Sequence, residues 1–203
     1  MKISQAITNS KICKSEARSL LSFITGFEIP YLIAHDEIQL CDKDYADFIN
    51  ISQRRELGHP MGYLMGKKEF YGSVFTISRE VLIPRPETEL LVETALANLP
   101  LEEPSRLLDL GTGCGVIAIS LLLNHRQIVV DAIDISEEAL KVARQNADDL
   151  LSDLTRIEFF RSNWLADVSN EVKYNMIVAN PPYVGDRDVH LTKGDVRFEP
   201  SVA

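Results

Sequence analysis

The sequence is poor in cysteine and in long apolar runs, and each shortage excludes a class of protein. Its 203 residues include three cysteines, Cys13, Cys41 and Cys114. None stands at metal-ligand spacing from another, which excludes a disulfide framework and a zinc ribbon, and we expect no metal site. The longest apolar stretch, residues 116–123, is too short to span a bilayer, and the N-terminus carries no signal-peptide pattern. We therefore expect no membrane partner and a reducing, cytoplasmic compartment.

Basic residues are scarce in the C-terminal part of the chain. The formal net charge is −9, and residues 86–203 alone carry −10, whereas residues 1–85 carry +1. An acidic surface repels phosphate backbones, so we expect no direct nucleic-acid partner, although solubility explains such acidity equally well. The content of 45% hydrophobic and 25% charged residues excludes wholesale disorder.

The first 65 residues are helical by pattern. Apolar residues at helical spacing predict helices over 15–26 and 42–58, and Asp42 or Asp44 can cap the second. We expect a small helical bundle with a polar outer surface over residues 1–65.

A β-hairpin and an alternating α/β pattern follow. Aromatic and β-branched residues interrupted by Gly72 predict a hairpin linker over 66–85, and Pro86 suits the first position of the next helix. Strands are expected over 107–110, 128–133, 157–160 and 174–179, with helices over 116–124 and 137–150. This alternation predicts an α/β fold with a parallel sheet and helices on both faces.

A glycine-rich loop joins the first parallel strand to its helix. Gly111, Gly113 and Gly115 follow a Gly-x-Gly-x-Gly spacing, which differs from the Gly-x-Gly-x-x-Gly pattern of dinucleotide sites. The loop also lacks the lysine of a phosphate-binding loop. It suits a nucleoside ligand without phosphates, with S-adenosylmethionine the leading candidate, against the plainer interpretation of a tight turn. Cys114 within it has no neighbouring base in sequence, so we interpret it as a small apolar residue.

Polar residues follow the next two strands. Asp134 can accept hydrogen bonds from both hydroxyls of a ribose, although it can also serve as a helix cap. Asn163 can accept from the exocyclic amine of an adenine. Trp164 either packs on the adenine ring or is ordinary packing.

The segment 180–183, Asn-Pro-Pro-Tyr, follows the last apolar strand. The Asn180 side-chain oxygen and the Pro181 carbonyl can each accept one hydrogen of a planar NH2 group, and Pro182 removes a further donor. Tyr183 can lie flat against the group's planar system. Two acceptors orient a weakly nucleophilic amide or aryl amine toward an electrophilic methyl group without a strong base, so positioning supplies the catalysis. A rigid turn at the strand exit is the plainer interpretation.

Four motifs together resemble one enzyme family. Pro-Arg-Pro-Glu-Thr-Glu at 84–89, Asp-Leu-Gly-Thr-Gly-Cys-Gly at 109–115, Asn-Pro-Pro-Tyr at 180–183 and Arg-Phe-Glu-Pro at 197–200 are similar to those of the peptide chain release factor glutamine N5-methyltransferases of the HemK type. The resemblance covers the whole chain. It implies a helical substrate-docking domain (1–65), the hairpin linker (66–85) and a Rossmann-like S-adenosylmethionine-dependent methyltransferase domain (86–203).

The resemblance also implies a reaction and a site. The reaction is methyl transfer from S-adenosylmethionine to the side-chain amide of the glutamine in a Gly-Gly-Gln loop of peptide chain release factors, which would be the protein partners. Asn180, Pro181, Pro182 and Tyr183 would hold the glutamine, with Arg85 a further substrate-side candidate that either pairs with Glu199 or is a solvated charge. The cofactor would contact Gly111, Thr112, Gly113, Cys114, Gly115, Asp134, Asn163, Trp164 and Asn180.

The sequence departs from the family pattern in two places. Asn163 stands where the family often has Asp, which keeps an acceptor but removes a charge. A methyltransferase sheet of this type has seven strands, and only four parallel ones are predicted, so we expect a domain that lacks its last strands, from a truncated or incompletely recorded chain.

Three alternatives remain at this stage. A nucleic-acid amino-methyltransferase acting on an exocyclic base NH2 shares the Asn-Pro-Pro-Tyr motif, but it needs a basic face. A ribosomal-protein glutamine methyltransferase fits the Pro-Arg-Pro-Glu-Thr-Glu segment less well. A helical interaction module with a vestigial methyltransferase half would be a non-enzymatic protein.

Overall fold

The structure, a computed structural model, describes residues 1–181 and 196–200. The chain divides into two compact units. The N-terminal unit comprises Met1–Met65 together with Val196–Phe198, and the sheet unit comprises residues 66–181 with 199 and 200. No helix in the described part of the chain is long and apolar enough to cross a membrane.

The N-terminal unit is a set of short helices around its own core. Its helices are α1 (Ile3–Asn9), α2 (Lys14–Thr25), α3 (Ile29–Ala34), α4 (Asp42–Glu56) and α5 (Met61–Met65). Buried side chains from all five helices form one apolar cluster, which includes Ile3, Leu20, Leu21, Leu32, Phe48 and Leu64. Because each helix is too short to be stable alone, this shared core holds them together.

The ends of α2 and α4 are set by different chemistry. Gly26 ends α2 in the left-handed conformation with φ of +73°, as its position in the sequence predicts. The predicted cap of α4 by Asp42 or Asp44 is wrong. Cys41 occupies the cap position, and its sulfur accepts the backbone N–H of Asp44 at 3.3 Å. Asp42 and Asp44 lie instead in the first turn, where their charges favour the helix dipole.

The sheet unit begins with the hairpin. Strands β1 (Lys67–Phe70) and β2 (Ser73–Thr76) pair antiparallel, and Phe70 lies opposite Ser73. The two turn residues, Tyr71 and Gly72, have φ of +47° and +75°, the combination that a tight two-residue hairpin requires. The strands cover only the first half of the predicted hairpin segment, because the later residues run as an irregular chain.

A four-stranded parallel sheet carries the rest of the unit. Its strands are β3 (Ser105–Leu110), β4 (Ile128–Asp134), β5 (Ile157–Arg161) and β6 (Met176–Ala179), in the spatial order β5-β4-β3-β6. The chain therefore builds outward from β3 to β5 and returns to the other side of β3. This reversal is the topological switch point at which open α/β sheets bind ligands.

Three helices accompany these strands. They are α6 (Glu89–Asn98), α7 (Val116–Asn124) and α8 (Glu137–Leu150), and α7 packs against both of the others. Residues 116–122 of α7 are all buried, so this helix is enclosed on every side over its first two turns, and all of these residues except Ser120 are apolar. Pro86 opens a short 3-10 turn, Pro86–Thr88, rather than α6 itself, which begins at Glu89.

The predicted start of the last strand at Tyr174 is also corrected. The strand begins at Met176, and the Tyr174 hydroxyl instead donates to the buried carboxylate of Asp131 at 2.6 Å. The Arg106 guanidinium donates bidentate hydrogen bonds to the same carboxylate at 2.8 to 3.0 Å. Burial raises the pKa of Tyr174 to about 12, so it stays a hydrogen-bond donor at neutral pH.

Candidate active site

The sheet register places the ends of neighbouring strands side by side. Leu110 pairs with both Ile133 and Ala179. The next residues along the three strands are Gly111, Asp134 and Asn180, so these motifs, far apart in sequence, meet at one edge. Asp134 in turn pairs with Arg161, which places the residues that follow β5 at the same edge.

A cavity of about 290 Å³ opens at this edge. Its lining mixes apolar side chains with a small number of polar groups, as is usual for small-molecule sites. The lining includes Gly111, Thr112, Gly113, Cys114, Asp134, Asn163, Trp164, Asn180 and Pro181 among the residues that the sequence analysis singled out.

Gly113 in the glycine loop is shaped by a contact with Asp134. The backbone N–H of Gly113 donates to the Asp134 carboxylate at 2.9 Å. Gly113 has φ of +57°, and a Cβ added there would meet no atom within 4 Å. Glycine is therefore required at this position by the backbone conformation, and the backbone faces open space rather than packed protein.

Gly115 has a different role and does not line the cavity. It caps α7 with φ of +84°, and a Cβ there would approach the Ile119 side chain to 2.9 Å and the Ala143 side chain to 3.3 Å. Gly115 thus lets α7 and α8 approach closely, so its predicted contact with a cofactor remains a prediction.

Asp134 is held by two backbone donors. Its second oxygen accepts the N–H of Ser136 at 2.9 Å. The cap of α8 is Ser136 itself, whose hydroxyl accepts the N–H of Ala139 at 3.2 Å. Each Asp134 oxygen has a further lone pair, so the carboxylate can still accept two hydroxyl groups in the cavity.

Three residues in and directly before the glycine loop are buried: Asp109, Thr112 and Cys114. The Thr112 hydroxyl donates to the Asp109 carboxylate at 2.7 Å. Burial raises the pKa of Asp109 to about 6 and that of the Cys114 thiol to about 12. At neutral pH the Cys114 thiol therefore stays protonated and is a poor nucleophile.

Trp164 extends along the rim of the cavity. Its side chain is 60% exposed and its φ is +53°, a left-handed conformation that is unusual for an aromatic residue. The Ser162 hydroxyl donates to the Trp164 carbonyl at 2.6 Å and stabilises this turn. Trp164 is thus not a core residue, and its ring is available to a ligand. Asn163 is exposed beside it.

Asn180 contacts a residue that the sequence analysis did not single out. Its side-chain Nδ2 donates to the Thr88 hydroxyl at 3.2 Å, and both residues line the cavity. Thr88 belongs to the Pro-Arg-Pro-Glu-Thr-Glu segment. The position of that segment directly after the hairpin was the sequence signal that could have indicated a role for Thr88 in the site. Pro182 and Tyr183 lie outside the described residues.

The irregular chain after the hairpin completes one wall. Its cavity-lining residues were not predicted, and they are Glu80, Val81, Leu82 and Pro84. Arg85 is not part of that lining. Its guanidinium donates to both carboxylate oxygens of Glu199 at 2.7 and 2.8 Å, and the Glu199 side chain is only 3% exposed. The pairing considered from the sequence is therefore present.

The parallel sheet, its strand order and the cavity at its carboxyl edge define a ligand-binding α/β protein of the Rossmann-like class. The family described as "Methyltransferase small domain" matches residues 86–196, and "PrmC N-terminal domain" matches residues 4–66. The chain belongs to the release factor glutamine methyltransferase family.

Two curated relatives support that membership. The Release factor glutamine methyltransferase of Neisseria gonorrhoeae is 43% identical over 96% of this chain and 70% of its own length. The protein of the same name from Yersinia pestis is 42% identical over 97% of this chain and 69% of its own length. A solved SAM-dependent methyltransferase from Thiobacillus denitrificans, in complex with S-adenosyl-L-homocysteine, is 27% identical over 47% of this chain and 36% of that one, with a TM-score of 0.38.

The matches to the family models and to the curated relatives confirm the family resemblance. Together with the observed parallel sheet, they confirm the Rossmann-like fold that the sequence predicted. They also confirm that the chain is an S-adenosylmethionine-dependent methyltransferase. The nucleic-acid and ribosomal-protein alternatives are not favoured.

Proposed function

We propose that this chain transfers a methyl group from S-adenosylmethionine to the side-chain amide of the glutamine in the Gly-Gly-Gln motif of peptide chain release factors. The observation that carries this proposal is the single cavity shared by two kinds of group. Asn180 and Pro181, which suit an amide NH2, line it together with Asp134 and the loop residues 111–114, which suit a nucleoside.

The residues on the nucleoside side fit the cofactor chemically. Asp134 keeps acceptor capacity for two ribose hydroxyls, beyond the two backbone N–H groups that it already accepts. The exposed ring of Trp164 offers an apolar face to adenine, and Asn163 beside it offers an amide acceptor to the exocyclic amine. The open space at Gly111 and Gly113 allows the backbone to approach a ligand closely.

The residues on the amide side supply acceptors. With Nδ2 of Asn180 donating to Thr88, the Asn180 Oδ1 atom accepts no hydrogen bond from any residue in 1–181 or 196–200. Oδ1 and the Pro181 carbonyl can therefore each accept one N–H of the glutamine amide. We propose that Pro182 and Tyr183 also contribute to binding the glutamine amide, as the sequence predicts.

Orientation is the main catalytic contribution of these residues. S-adenosylmethionine supplies an electrophilic methyl group when it is bound. An amide nitrogen is a weak nucleophile, and two fixed acceptors hold its NH2 group so that the nitrogen can receive that methyl group. The amide proton then leaves to water, so the step requires no strong base.

The two units suggest a division of labour. We propose that residues 1–65 dock the release factor, that residues 66–85 link the units, and that residues 86–203 perform methyl transfer. The separate core of the N-terminal unit supports an independent docking role. Partner proteins, rather than nucleic acids or membranes, are the expected macromolecular ligands. We assign Arg85 to anchoring the Pro-Arg-Pro-Glu-Thr-Glu segment, next to the side of the cavity that would hold the substrate, through its pairing with Glu199.

A labelling experiment tests the proposal. The protein is incubated with radiolabelled S-adenosylmethionine and one of three acceptors: a release factor, the same factor with the Gly-Gly-Gln glutamine replaced, or a DNA duplex. We expect label only on the unsubstituted factor. Asn180→Ala is expected to lower kcat about 100-fold or more, because the amide loses an orienting acceptor.

A matched asparagine variant controls for general damage. Asn98 is exposed on α6 and its Nδ2 donates to the Thr94 carbonyl of its own helix, so Asn98→Ala should retain wild-type kcat. Label on DNA, or equal label on the glutamine-substituted factor, would contradict the proposed substrate.

A further inference from the structure

We propose that Thr88 is a positioning residue that fixes the amide orientation of Asn180. This inference rests on the proposed function, because it concerns how Asn180 presents an acceptor to the substrate amide. The two residues are 92 positions apart in sequence and meet at the cavity wall, with 3.2 Å between Asn180 Nδ2 and Thr88 Oγ1.

The polarity of an asparagine amide matters at this site. The Oδ1 atom accepts hydrogen bonds and the Nδ2 group donates them. A glutamine NH2 group is a donor, so only Oδ1 of Asn180 can hold it, and Nδ2 must then find an acceptor elsewhere. The Thr88 hydroxyl is that acceptor. Without it, the partly buried Nδ2 donor would lose its partner whenever Oδ1 held the substrate.

The Thr88 hydroxyl makes no hydrogen bond that caps its own helix. Thr88 is the last residue of the 3-10 turn and lies directly before α6, with helical backbone angles (φ of −69° and ψ of −20°) rather than the extended ones of an ordinary N-cap residue. Its hydroxyl is therefore directed to Asn180 rather than to its own helix.

The surrounding turn holds Thr88 in place. Its backbone N–H donates to the Arg85 carbonyl at 3.0 Å, and Arg85 is itself paired with the buried Glu199 carboxylate. Pro86 restricts the backbone between them. Thr88 is also only 8% exposed, so its hydroxyl has little access to bulk water as an alternative partner. The Pro-Arg-Pro-Glu-Thr segment thus acts as a rigid support for the amide-binding loop.

Two pairs of substitutions isolate the hydroxyl. Thr88→Val removes the hydroxyl at almost constant side-chain shape. Thr88→Ser keeps a hydroxyl that Thr88→Ala lacks. We expect Thr88→Val and Thr88→Ala to lower kcat for release-factor methylation by on the order of 10- to 100-fold. Thr88→Ser should stay within about threefold of wild type, because it retains the acceptor.

The measurements separate positioning from simple folding damage. The dissociation constant for S-adenosyl-L-homocysteine, measured by calorimetry, should rise by a far smaller factor than kcat falls in the Thr88 variants, because Asp134 and the glycine loop on the nucleoside side are unchanged. Thr94→Val is the matched control, since Thr94 is exposed on α6 and bonds only to its own helix. It should leave kcat unchanged.

The outcomes distinguish this inference from the proposed function. If wild-type protein labels the release factor and Thr88→Val or Thr88→Ala retains full kcat, the positioning role is overturned. It is equally overturned if Thr88→Ser is as slow as Thr88→Ala, since the acceptor would then be irrelevant. If wild-type protein itself fails to label the release factor, the proposed function fails instead.

Discussion

Asp109 shows how the environment of one residue connects the cofactor loop to stability. It is fully buried behind the glycine loop and accepts the Thr112 hydroxyl. Burial raises its pKa from 3.8 to about 6, because the ionised form is poorly solvated there. The folded protein therefore binds a proton at Asp109 more tightly than the unfolded chain does.

This shift predicts a pH dependence of unfolding. The stabilising contribution of Asp109 is fully present below the unfolded pKa of 3.8 and is lost as the pH rises through about 6. A shift of this size corresponds to about 3 kcal/mol. Because the unfolded Asp109 is already partly ionised at pH 4, we expect the unfolding free energy in urea to fall by about 2 kcal/mol more in the wild type than in Asp109→Asn between pH 4 and pH 7.

A surface aspartate supplies the control for that measurement. Asp148 is exposed on α8, so Asp148→Asn should follow the wild-type pH profile. Parallel profiles for wild type and Asp109→Asn would show that Asp109 does not titrate in this range.

At the scale of elements, Asn146 joins three parts of the sheet unit. It lies on α8 with 1% exposure, and its Oδ1 accepts the Thr76 N–H of β2 at 2.7 Å. Its Nδ2 donates to the Thr76 carbonyl at 2.9 Å and to the Cys114 carbonyl at 2.8 Å. The side chain thus pairs with a strand edge as a neighbouring strand would, and it also holds the glycine loop.

Removal of this side chain should weaken both the fold and the cofactor site. In Asn146→Ala, the Thr76 and Cys114 groups lose buried partners, which should lower the unfolding free energy by about 3 kcal/mol. The loosened loop should also weaken S-adenosyl-L-homocysteine binding by on the order of tenfold. Urea unfolding and calorimetry measure the two effects.

The control for Asn146 is an asparagine at a helix end. Asn124 is exposed and bonds only to the Ser120 carbonyl of its own helix, so Asn124→Ala should change neither quantity by much. Wild-type cofactor affinity in Asn146→Ala would refute the proposed link between hairpin and loop.

At the scale of the whole molecule, the two units differ in core and in chemistry. The N-terminal unit has a separate apolar cluster that includes Phe48, which is fully buried. The cavity with its proposed nucleoside and amide groups is lined by residues of the sheet unit. Damage to the first core should therefore affect substrate docking without affecting cofactor binding.

Phe48→Ala tests this separation. A fully buried phenylalanine costs about 3 to 5 kcal/mol when truncated, which is enough to unfold a small helical unit. We expect the variant to lose release-factor methylation while S-adenosyl-L-homocysteine affinity stays within about twofold of wild type. Leu57→Ala, at a side chain that is 69% exposed, is the control and should retain both. If Phe48→Ala unfolds the N-terminal unit and the variant still methylates the release factor at the wild-type rate, the docking role is contradicted.

Local patterns were sufficient for much of the fold. The bounds of α7 and α8 coincide with the prediction, because both helices combine a clear apolar pattern with a glycine or serine at the start. The four parallel strands were also recognised, since each contains a short run of apolar residues. The cap by Cys41 was missed because cysteine rarely serves as a helix cap, so a neighbouring aspartate was preferred.

The sequence by itself determined the alternating α/β pattern, the glycine loop and the amide-binding motif, because each depends on residues within a few positions of one another. Only the tertiary structure decided which distant residues share the cavity wall. The Asn180–Thr88 and Asn146–Cys114 contacts join separate segments, and strand register and helix packing bring them together. Spacing along a chain carries no information about such contacts, since they depend on how the elements pack.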